Sequence, residues 1–136
     1  MILGFKPQFV KPIFNGTKIH TIRRDEHDRW KAGRKIDMAT GVRTKNYTKF
    51  AEKVCISTQT IEIKWTEAPE DSFQGRSVRV YIDGKDVTIK WFDEHTYDTV
   101  VDALSRNDGF SDLKDFFAWF SEDFKGKIIH WTDFRY

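Results

Sequence analysis

The stretch Gly16-Thr17-Lys18-Ile19-His20-Thr21-Ile22-Arg23-Arg24-Asp25 decides how the rest of the chain is read. Between Thr17 and Arg24 it gathers an amine, two hydroxyls, an imidazole and two guanidiniums. Ile19 and Ile22, both β-branched, are suited to pin this polar run to a core. The stretch follows an apolar segment, Phe9 to Phe14, that ends at Asn15-Gly16, a helix-stopping pair. Polar chemistry crowded onto a loop that leaves a helix and enters a strand marks a candidate site.

Working outward, Ile2 to Phe5 reads as a short strand, and Pro7 suits the first turn of a helix. Phe9, Val10, Ile13 and Phe14 recur at helical spacing, and Pro12 inside that pattern predicts a short, irregular helix. Downstream, Trp30-Lys31-Ala32-Gly33 reads as a turn feeding a strand from Arg34 to Thr40, and Gly41-Val42-Arg43-Thr44 as a second turn. From Ala51 to Trp65 the chain is β-rich. Its apolar phase is even at Val54 and Ile56 and odd at Ile61, Ile63 and Trp65, which predicts a bulge or bend. Ala68 to Gly75 reads as a loop. Val78, Val80 and Ile82 then alternate, Asp83-Gly84 turns, and Val87, Ile89 and Trp91 alternate again, the pattern of a β-hairpin.

Helical spacing returns at Tyr97, Val100, Val101 and Leu104, with Thr96 as N-cap. Asn107-Asp108-Gly109 ends that helix. Ser111 is placed to cap a second one carrying Leu113, Phe116, Phe117 and Phe120 on one side, with Phe110 packing back against it. Gly126 precedes a closing strand, Lys127 to Trp131. The order of elements predicts an α+β domain, a curved mixed sheet or pseudobarrel with helices at its ends.

Composition narrows the classes. The 136 residues suit one domain with one core. With 23 basic against 21 acidic residues, the net charge of +2 does not announce nucleic acid. The 12 Phe, 5 Trp and 4 Tyr are expected mainly in the core. Cys55 is the single cysteine, so an internal disulfide is impossible and a reducing, cytoplasmic setting is expected. The opening Met1 to Pro7 is interrupted too early for a signal peptide. No apolar run approaches the ~20 residues of a membrane span. The histidines, His20, His27, His95 and His130, lack metal-ligand spacing, so no metal and no cofactor is expected.

Gly16-Thr17-Lys18-Ile19-His20-Thr21-Ile22-Arg23 resembles the GxKxxTxR signature of ASCH domains, members of the PUA-like superfamily. Trp30-Lys31-Ala32-Gly33 resembles that family's W/F-x-x-G-D turn, with Arg34 where Asp is common. Asn107-Asp108-Gly109-Phe110-Ser111 resembles its acidic-Gly-Phe-small segment. The resemblance implies one domain over residues 1–136: a small PUA-like β-pseudobarrel with peripheral helices and a cleft beside the signature loop. The hairpin at about 77–92 would be an insertion. It also implies an RNA, nucleotide or nucleoside ligand. The bacterial members closest in motif are amidohydrolases that deacetylate N4-acetylcytidine with a Lys, a Thr and a carboxylate. By position these are Lys18, Thr21 and Asp108, the last standing where the family has Glu.

Amide hydrolysis needs a nucleophile, a base and a donor for the developing oxyanion. A Thr hydroxyl is weak until a neutral amine takes its proton, and burial or a nearby cation favours the neutral amine. Lys18 and Thr21 lie three residues apart, so they share a site only if the chain bends between them. Arg23 lies two from Thr21 and is the first candidate for anion contact. Arg24, Arg43 and His20 are further contact candidates, and Trp30 or Tyr47 could stack a base. Each residue also has a purely structural reading: Lys18 as a solvated amine, Thr21 as a strand residue, Asp108 as a turn former, His20 on the opposite wall, Arg23 paired with Asp25 or Glu26, Trp30 as core. Two functions stay open, an RNA- or nucleoside-associated hydrolase of an acylated nucleoside amide and a non-catalytic RNA or modified-base module. The oligomeric state is open as well.

Overall fold

Pro7 opens a single 3₁₀ turn (Pro7–Phe9) that follows strand β1 (Ile2–Gly4) and runs directly into helix α1 (Val10–Phe14). Pro12 occupies the first turn of α1, where an N–H has no helical partner to lose. The computed structural model describes residues 1–67, 76–88 and 100–136. Beyond α1 come strands β2 (His20–Arg23), β3 (Lys35–Thr40), β4 (Thr48–Val54), β5 (Ser57–Glu67), β6 (Arg76–Ile82) and β7 (Lys85–Asp86). Helices α2 (Val100–Asn107) and α3 (Leu113–Trp119) and strand β8 (Phe124–His130) follow.

The strands form two sheets. One has three strands in the order β1-β3-β4, with β1 parallel and β4 antiparallel to β3. The other has five, all antiparallel, in the order β2-β8-β5-β6-β7. The α+β class with mixed strand directions is therefore as expected, but the described residues form two separate sheets and no closed barrel.

The phase change between Val54 and Ile61 is not a bulge within one strand. It is the corner where the chain passes from one sheet to the other. Val54 and Ile56 are exposed there, and Cys55 between them is fully buried. Cys55 N–H donates to Arg34 O at 2.8 Å in the first sheet, and Ile56 N–H to His130 O at 2.8 Å in the second. A bulge does occur, in β3 between Met38 and Ala39.

The Asp83-Gly84 turn is as expected. Both residues have positive φ, 50° and 79°, and the register pairs Ile82 with Lys85. These are the dihedral signs of a type I′ hairpin turn. Val78, Val80 and Ile82 are buried. The expected partner positions Ile89 and Trp91, the loop from Ala68 to Gly75, the cap Thr96 and Tyr97 lie outside the described residues.

Two local expectations are corrected. Asp112, not Ser111, caps α3: its side chain accepts from Asp115 N–H at 2.8 Å, while Ser111 Oγ donates to the Asp115 carboxyl. Gly126 lies inside β8 rather than before it. A Cβ there would stand 2.3 Å from Arg23 O and 2.7 Å from the Phe124 ring, so the close approach of β2 requires a bare backbone.

Adjacent strand residues point to opposite faces, yet Ile128 and Ile129 of β8 are both fully buried. His20, Thr21 and Ile22 of β2 are buried as well. This end of the five-stranded sheet is thus covered on both sides, and the signature segment becomes interior. By contrast, β4 pairs only with β3 among the described residues and carries charge along its rim. Lys49 bridges Asp37 at 2.9 Å and Glu52 at 2.5 Å, and Lys35 bridges Glu52 at 3.0 Å.

Replacing Gly126 by Ala is expected to lower stability by about 1–3 kcal/mol, because the backbone oxygen of Arg23 cannot retreat without unpairing β2. The urea midpoint of G126A against the parent checks this.

Candidate active site

Lys18 is placed by backbone bonds before any side chain contributes. Its N–H and that of Thr17 both donate to Pro12 O at 3.0 Å, and Ile19 N–H donates to Asn107 O at 2.9 Å. The chain therefore doubles back off α1, and regular strand begins only at His20. That is the bend between Lys18 and Thr21 that a shared site requires.

Lys18, Thr21, Arg23 and Asp108 line one cleft of about 290 Å³. Phe5, Phe9, Phe110, Trp119 and Phe120 supply aromatic walls. The size is at the lower end for small-molecule sites, and the mix of apolar walls with a few convergent polar groups is typical of them.

Lys18 is 2% exposed, and its Nζ donates to Asp108 O at 2.6 Å and to Asp108 Oδ1 at 3.0 Å. The Phe9 ring centroid lies 4.8 Å from the same nitrogen. Burial pulls the Lys18 amine below the ordinary lysine value. Asp108 opposes that shift and Arg23 adds to it. A neutral amine carries two N–H groups and one lone pair. The two Asp108 acceptors occupy both N–H groups, which leaves the lone pair for another partner.

Thr21 is 4% exposed, and its Oγ1 accepts from Arg23 Nε at 3.1 Å. The other end of that guanidinium donates to Gly4 O at 2.6 Å and lies 4.9 Å from the Phe5 ring centroid. Arg23 is thus held by β1 and Thr21, while Asp25 pairs with Lys127 at 2.9 Å. Asp108 follows the last residue of α2, and the next residue, Gly109, has φ of +92°. This left-handed stop suits glycine. A Cβ on it would press within 3.1 Å of both Lys18 Cδ and the Phe9 ring.

His20 belongs to the same polar cluster but not to the cleft wall. It is fully buried, with Nδ1 3.3 Å from Asp108 Oδ1 and Nε2 2.5 Å from Tyr136 Oη. The expectation of a ligand contact from His20 is therefore corrected: it holds Asp108 from behind. Trp30 is also corrected as a stacking platform, since it is 6% exposed and part of the core. Arg24 is exposed with its guanidinium 5.3 Å from the Phe124 ring centroid, and Arg43 sits on the β3–β4 turn with φ of 64°. Neither lines the cleft. Tyr47, on the same turn, is 44% exposed.

Several participants carried no local signal in the sequence. Tyr136 reaches His20 from the far end of the chain. Gln59 on β5 grips it, accepting from Tyr136 N–H at 2.8 Å and donating to Tyr136 O at 3.0 Å. Among the described residues no cluster of His, Cys, Asp and Glu could hold a metal ion. No protein-family model, curated protein or solved structure matches the chain.

His20 and His130 pack edge to face, with ring centroids 5.3 Å apart. Burial lowers both imidazoles, and His130, whose Nδ1 has no hydrogen-bond partner, is held at about 4. Between pH 6.5 and these folded values the unfolded chain binds more protons than the folded one. Stability is therefore complete above pH 6.5 and lost as the pH falls, at up to about 1.4 kcal/mol per pH unit per imidazole. Urea titrations between pH 7 and about pH 4 check this. His130→Gln, which keeps a donor toward Gln59, is expected to flatten the curve.

Proposed function

We propose that the chain is an ASCH-like amidohydrolase of the PUA-like kind that cleaves the amide of a small acylated nucleoside such as N4-acetylcytidine. The observation that carries this reading is that Lys18, Thr21 and Asp108 all line one aromatic-walled cleft of about 290 Å³, with the Lys18 amine bonded to Asp108 and the Thr21 hydroxyl to Arg23. A planar, mostly apolar base suits such walls, and a space of this size suits a nucleoside better than an oligonucleotide.

In this mechanism the Lys18 lone pair takes the Thr21 hydroxyl proton. Arg23 Nε, already bonded to that oxygen, stabilises the alkoxide as it forms. The alkoxide attacks the amide carbonyl, and the protonated Lys18 returns its proton to the departing N4 amine. Water then cleaves the acyl-threonine ester and regenerates the hydroxyl, so the products are an amine and a carboxylic acid. Asp108 keeps the Lys18 amine aimed at the cleft in both protonation states.

A non-catalytic RNA-binding module is the weaker reading. It needs Arg23, Arg24 and Arg43 along one phosphate track, and of the three only Arg23 lines the cleft.

The purified protein is expected to release cytidine from N4-acetylcytidine, followed by chromatography. Lys18→Ala and Thr21→Ala are each expected to lower the rate on the order of 10²–10⁴-fold. Absence of turnover by the parent protein would sink the reading.

A further inference from the structure

A directed chain of hydrogen bonds runs behind the cleft. Asn107 Nδ2 donates to Tyr136 Oη at 3.1 Å. Since that oxygen accepts from Asn107, its own proton is free to go to His20 Nε2, 2.5 Å away. His20 Nε2 then accepts, which puts the ring proton on Nδ1, facing Asp108 Oδ1 at 3.3 Å. Asp108 Oδ1 receives the Lys18 amine on its other side. The direction is set by the Asp108 carboxylate, which only accepts: Nδ1 must carry the ring proton that faces it, and Nε2 is left to accept from Tyr136 Oη.

We propose that His20 and Tyr136 are positioning residues: through this chain they fix the Asp108 carboxylate, and through it the Lys18 amine, without touching substrate. The His20 N–H shares the carboxylate charge with Lys18, so less of that charge is left to hold a proton on the amine. The groups that face the amine are Asp108 at the end of α2, Arg23 on β2, and the rings of Phe5 and Phe9. The mechanistic part of the proposal rests on the amidohydrolase reading; the positional part does not.

Two replacements of His20 separate positioning from packing. An asparagine amide nitrogen falls where Nδ1 stood and keeps the bond to Asp108. A glutamine amide nitrogen falls where Nε2 stood and loses it, although glutamine fills more of the space. On N4-acetylcytidine, H20Q is expected to lower kcat about 10–100-fold with KM unchanged, and H20N much less. Tyr136→Phe, which deletes one oxygen, is expected to change kcat in the same direction as H20Q.

A readout independent of turnover is the Lys18 titration followed by NMR of labelled lysine. Its midpoint is expected to rise toward the ordinary lysine value in H20Q and to stay in place in H20N. Thermal melts of both variants report on folding. If H20N is the more impaired variant, or if neither moves kcat nor the midpoint, the positioning role is overturned. If the parent protein leaves acetylcytidine intact while the midpoint still separates the two variants, the positioning role stands and the amidohydrolase reading falls.

Discussion

Taking a lysine amine out of water costs free energy that only directed partners can offset. At Lys18 those partners are both atoms of one residue, the Asp108 carbonyl and carboxyl oxygens. Much of the local architecture serves to bring these two residues together across the ninety positions that separate them. The Pro12 carbonyl turns the chain off α1, the Asn107 carbonyl ties the next residue to the end of α2, and Gly109 leaves room for the lysine stem. Without the acid the amine would be buried and uncompensated. Without the turn it would be one more surface lysine.

The sheet around this pair is arranged to match. β2 is a terminal strand in hydrogen bonding but an interior one in burial, since the consecutive residues His20, Thr21 and Ile22 are all buried. That explains how a segment carrying Lys18, His20 and Thr21 can be nearly inaccessible while one side of it still opens onto a cleft. The aromatic walls follow from the same geometry. Phe9 and Phe110 meet edge to face with centroids 5.6 Å apart, and Phe9 and Trp119 do so at 5.5 Å. The lip of the cleft is thus made of rings that brace one another.

Local signals in the sequence carried much of this. The Asn-Gly and Asp-Gly pairs, the irregular proline-bearing helix and the alternation around Val80 are short-range effects of backbone sterics, and they read correctly. Lys18, Thr21 and Asp108 were legible as a set through the resemblance of three short motifs. What escaped depended on long-range pairing. The break at Cys55 is a strand ending in one sheet and another starting in the next, and periodicity alone cannot tell that from a bulge. His20 read as facing the opposite wall, which holds for the cleft, but its partners lie at the back of Asp108. Tyr136 and Gln59 have no motif at all; the β5–β8 register places Gln59, and Gln59 in turn holds the Tyr136 backbone beside the site.

The charged rim of β4 has a consequence for how the molecule meets its own copies. An open strand offers unpaired amides and carbonyls to any passing strand. Among the described residues β4 has one sheet neighbour, and a fourth strand laid against it would have to match the signs of the Lys49–Asp37 and Lys35–Glu52 pairs that tie it to β3. The edge thereby discourages edge-to-edge stacking by any strand that does not carry the complementary charges.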